Sequence, residues 1–153
     1  MPEDWAADAA SKFDKQEEAE RTKREGAIQK RKALEEQGIT LWGEVKRALQ
    51  LLLKRFNDDE RKQVLSAALT KPETITVFAA MESGQREMMA SFNSDYSVGY
   101  NAKSTRSDMP DRFGHFTMSV ADDNKLILVA EQGVEVSVEK AAEHMLDALL
   151  ERT

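Results

Sequence analysis

The chain has 153 residues, with 22 Lys+Arg against 28 Asp+Glu for a net charge of -6, and no cysteine. That length suits one compact domain and falls short of two ordinary ones. The acidic balance argues against generic nucleic-acid or anionic-membrane binding, and the missing cysteine excludes disulfides, thiol catalysis and cysteine-ligated zinc. The opening Met1-Pro2-Glu3-Asp4-Trp5 is acidic where a secretory signal carries bases followed by an apolar run. No apolar run approaches the roughly 20 residues that span a bilayer. The expectation is a soluble cytoplasmic protein.

Charge divides the chain. Residues 1–37 hold 10 acids and 8 bases, residues 38–72 hold 4 and 7, and residues 73–153 hold 14 and 7. The first region has few large apolar residues, chiefly Trp5, Phe13, Ile28 and Leu34. Opposite charges recur at helical spacing, as in Asp8 with Lys12, Glu17 with Arg21 and Glu20 with Arg24. This predicts a charged helical arm over 1–37 that lacks the apolar area to fold alone. A heptad coiled coil is not expected: the series Phe13, Glu20, Ala27, Leu34, Leu41 has a polar companion in Gln16, Lys23, Lys30, Gln37.

A single α+β domain is expected over 38–153. Gly38 is read as the end or bend of the arm, and Thr40 as the N-cap of the next helix. Leu41, Val45, Leu49, Leu52 and Phe56 recur at three- and four-residue steps, which predicts a core helix over 41–56. Asn57, three residues before Glu60, has capping-box spacing and suggests a second short helix to about Leu69, stopped by Pro72.

From Thr74 the period becomes 2. Ile75, Val77, Ala79 and Met81 form one strand face, Met88, Ala90 and Phe92 the next, then Tyr96, Val98, Tyr100 and Ala102, then Phe116 and Met118 with Val120. Leu126 to Ala130 is continuously apolar, the pattern of a strand covered on both faces. Short polar turns between them predict an antiparallel meander of about five strands, packed by an amphipathic helix on either side of it in sequence. That final helix follows from Val138, Ala141, Ala142, Met145, Leu146, Leu149 and Leu150 on one face, with Ser137 as N-cap.

The sequence carries none of the common local chemical signatures. Glycine-rich phosphate loops, the G-x-S-x-G elbow and H-E-x-x-H are all absent. Asp122-Asp123-Asn124 reads as a hairpin turn, because it lacks the glycine and distal glutamate of a calcium loop. No catalytic residue, metal or cofactor is expected. The candidate ligand-binding residues are Arg86, Arg106, Arg112 and His115. They are the arginines and one histidine of the sheet region, around the polar 104–111 loop, and arginine forks suit carboxylates or phosphates. His144 reads as a surface residue on the polar side of the last helix.

Two function classes remain. The first is a protein-interaction or adaptor module whose arm orders on a partner protein or a second copy, with no nucleic-acid or membrane partner. The second is a small-molecule binder or enzyme using the outer sheet face and the 104–111 loop.

Overall fold

A computed structural model describes residues 2–61, 63–81, 84–104 and 111–150. Helix α1 spans Pro2–Glu60. Seven strands follow: β1 Leu65–Lys71, β2 Thr74–Met81, β3 Gly84–Phe92, β4 Ser97–Ser104, β5 Arg112–Val120, β6 Leu126–Ala130 and β7 Glu135–Val136. Helix α2, Val138–Leu150, completes the described chain. The strands pair in chain order, every pair antiparallel, in one open sheet. The expected α+β fold with a helical arm is present.

The sheet has one covered and one uncovered face. Cross-strand partners share a face, so the register sets Ile75, Val77, Ala79, Met88, Ala90, Val98, Ala102, Phe116, Met118 and Leu128 together, all buried. Against them pack Leu41, Trp42, Val45 and Leu49 of α1, and Ala141, Ala142, Met145 and Leu149 of α2. Each large side chain buried in this way stabilises the fold by about 1.5–3 kcal/mol. The expected N-cap of α2 is in place, with the Lys140 amide donating to Ser137 Oγ at 3.1 Å.

Several sequence expectations are corrected. Helix α1 runs through Gly38 and Thr40 without a break. Gly38 is buried in the helix and lets it approach the sheet: a Cβ there would lie 3.2 Å from Tyr96 Cδ1. Neighbouring contacts hold the helix at this point. The Gln37 amide donates to Asn124 O at 2.8 Å and accepts from the Leu126 amide at 3.2 Å, and Trp42 Nε1 donates to Pro72 O at 2.9 Å.

Asn57 starts no new helix. Its Oδ1 accepts from the Val64 and Leu65 amides and its Nδ2 donates to Leu65 O, which fastens the edge of β1 to the end of α1. Residues 65–71 are therefore a strand, because pairing with β2 outweighs their helix-like apolar spacing. Strands β1 and β7 raise the count from about five to seven. Tyr96 sits in the turn before β4 with φ of 60°. Strand β6 is fully buried on one face only: Leu128 points into the core, while Ile127 and Val129 are partly buried on the uncovered face.

Candidate functional site

The four candidate residues do not form one cluster. Arg86 lies on the inner face of β3, in phase with Met88 and Ala90, and is 1% exposed. Its Nε donates to Leu149 O at 2.7 Å and its Nη2 to Ala148 O at 3.2 Å. Carbonyls at a helix C-terminus lack intrahelical partners, and a cation also complements the dipole there. Arg86 thus caps α2 from inside the core. Arg106 lies outside the described residues.

His115 is on the opposite face. Its Nδ1 is 3.2 Å from Glu131 Oε1, and the same oxygen accepts from its backbone amide at 3.1 Å. Both side chains are about half-exposed, which limits the strength of the contact. His115 and His144 are separated by the sheet. Among the described residues no group of three or more His, Asp or Glu is placed to hold a metal ion.

Arg112 opens β5 on the inner face, where it joins residues the sequence did not group with it. Tyr100, Asp111, Arg112, Phe113, His144, Asp147 and Ala148 line an open depression of about 500 Å³ between the sheet and α2. His144 meets the Phe116 ring edge-on, with centroids 6.1 Å apart. Tyr100 stacks on Phe116 and crosses above Gly114, where any Cβ would collide with its ring and hydroxyl. Burial, and secondarily the charge of Glu131, hold the Tyr100 phenol above its ordinary value of 10.0. The depression offers one guanidinium, one imidazole and two carboxylates to a small polar ligand. His144 could not be found from sequence, because its place depends on how α2 lies across β5.

The uncovered sheet face is the second candidate surface. It carries Thr76, Phe78, Glu87, Met89, Asn101, Lys103, Phe113, His115, Thr117 and Val129. Phe113 is 79% exposed and Met89 half-exposed. Between them Asn101 Oδ1 is buried and hydrogen-bonds to no described residue.

The third is the arm. No residue from Asp4 to Lys32 is buried, and burial along the helix from there begins at Ala33. At about 1.5 Å per residue the exposed stretch is about 45 Å long. Trp5 is 74% exposed, Phe13 58% and Ile28 60%. The pairs Asp8–Lys12, Glu17–Arg21 and Glu20–Arg24 do not close; Arg31–Glu35 at 3.4 Å and Lys32–Glu36 at 3.9 Å do. Exposed i,i+4 pairs are worth only about 0.2–0.5 kcal/mol, so long solvated side chains readily leave them open. Among the described residues no helix is long and apolar enough to cross a membrane.

Compared with known proteins, the chain matches no family model, no curated protein and no solved structure.

Proposed function

We propose that the protein is an interaction or adaptor module without catalytic activity of its own, whose charged arm docks on a partner protein or on a second copy of the chain. One observation carries this reading: about half of the longest helix, Asp4 to Lys32, buries no residue in its own fold, yet presents Trp5, Phe13 and Ile28 to solvent. A long helix kept outside the core gains from a partner the burial that its own fold does not supply. Nucleic acid and membrane are not the proposed partners. Of the bases Lys46, Arg47, Lys54 and Arg55 on α1, Lys46 is held by Pro72 O at 2.9 Å, with its ammonium 5.7 Å from the Trp42 ring centroid. We place the protein in the cytoplasm, where a chain without cysteine works unchanged.

Native mass spectrometry of the protein gently isolated from its source tests the reading. A retained protein mass that disappears with Trp5→Ser and Phe13→Ser is expected. A retained protein mass indifferent to those changes would contradict the role of the arm. The depression around Arg112 and His144 favours a second reading, a small-molecule binder or enzyme. That reading expects a retained small mass, lost with Arg112→Ala.

A further inference from the structure

We infer that the arm pairs antiparallel with the arm of a second copy, through the stripe Phe13, Glu17, Glu20, Arg21, Arg24 and Ile28. This rests on the interaction reading and names the partner. Because α1 is unbroken, the charges of the arm are ordered along one rod. Residues 1–20 carry 7 acids and 2 bases, net -5; residues 21–32 carry 6 bases and 1 acid, net +5. The sign changes at the Glu20–Arg21 junction. The arm is therefore complementary to itself only when reversed.

The stripe residues share one side of the helix by their three- and four-residue spacing. Glu17, Glu20, Arg21 and Arg24 line a single surface depression there, and no close ion pair joins them to one another. A second arm reversed about the junction sets Glu20 opposite Arg21, Glu17 opposite Arg24 and the exposed Phe13 opposite the exposed Ile28. Two-fold symmetry repeats each contact. The same side stays open where the helix reaches the sheet, since Glu35 and Ile39 are exposed. The first turns of the partner's arm can lie alongside them. A parallel pair would set like charge against like. A basic or acidic protein partner would neutralise one end of the rod and leave the other. The seam is mostly polar, so the association is sensitive to salt.

Sedimentation equilibrium of the full chain, at about 0.05 M and about 0.5 M salt, is the test. The wild-type chain is expected to dimerise at low salt and to weaken about tenfold or more at high salt. The variants Glu17→Lys with Glu20→Lys, and Arg21→Glu with Arg24→Glu, are each expected to be monomeric alone and to form a one-to-one heterodimer when mixed. Circular dichroism checks that both stay helical. Orientation is read by cross-linking, as the chain has no cysteine of its own. A Phe13→Cys chain should cross-link to an Ile28→Cys chain rather than to itself. Self-linked Phe13→Cys, or charge-reversed variants that dimerise like wild type, would overturn the pairing. A wild-type chain monomeric at every concentration would also overturn it. The interaction reading would then still stand if mass spectrometry finds another protein held by the arm, and would fall if it finds none.

Discussion

The two halves of α1 share one backbone geometry and owe it to different causes. From Ala33 to Glu60 the helix lies on the sheet, with Leu41, Trp42, Val45 and Leu49 in the core and Gln37, Trp42 and Asn57 bonded to turns and strand ends. From Asp4 to Lys32 nothing is buried. Here helix formation depends on good helix formers, chiefly alanine, glutamate and lysine, and on weak charge pairing. Tertiary packing fixes the C-terminal half, whereas the N-terminal half is left exposed for contact with another molecule.

Substitution should separate the halves. Leu49→Ala empties a fully buried site and should cost about 2–5 kcal/mol in denaturant unfolding. Phe13→Ala, on the same helix, should change stability by less than about 0.5 kcal/mol in dilute solution. An equal loss at both positions would erase the distinction.

Arg86→Met is the next largest effect. It leaves the Leu149 and Ala148 carbonyls without the guanidinium inside the core, and should cost about 2–4 kcal/mol. The C-terminal helix should show the loss first, as faster amide exchange in α2 than in α1.

Two glycines sharpen the comparison. A Cβ at Gly26 meets nothing within 4 Å, so Gly26→Ala should strengthen the arm by about 1 kcal/mol, seen as added helical circular dichroism. At Gly38 the same change meets Tyr96 Cδ1 at 3.2 Å and Phe92 Cζ at 3.4 Å, and the propensity gain should be offset.

The smallest effect is alkaline. The folded state holds the Tyr100 phenol above its ordinary value of 10.0, through burial first and Glu131 second. Below pH 10 both states keep the proton and the contribution is constant. As pH rises beyond 10 the unfolded chain ionises first, so stability falls. Tyr100→Phe should flatten that fall in unfolding titrations, and an unchanged slope would contradict the assignment.

The sheet was legible where one face is buried and the other wet. Strands β2 to β5 carry clean alternation, and the stripe of α2 announces its contact with the core. Strand β1 was not legible, since Val64, Leu65, Ala68 and Leu69 keep helical spacing and only β2 decides the outcome. Nor was the continuity of α1 at Gly38, where a residue that often ends helices instead permits close packing. Arg86 gave a partial signal: it stands in phase with Met88, Ala90 and Phe92, so its burial could be read. Its partners, carbonyls some 60 residues on in sequence, could not. The group Arg112, Tyr100 and His144 depends on tertiary packing of α2 and leaves no local trace.

Hydrogen exchange along the full chain tests the central claim most directly, that the arm is outside the folding unit and is the element that engages a partner. In dilute solution, amides from Asp4 to Lys32 should exchange far faster than those from Leu41 to Phe56, with the boundary near Ala33. Raising the protein concentration should slow exchange in the arm alone. Uniform protection along α1 at the lowest concentration, or slowing confined to the sheet, would contradict the account.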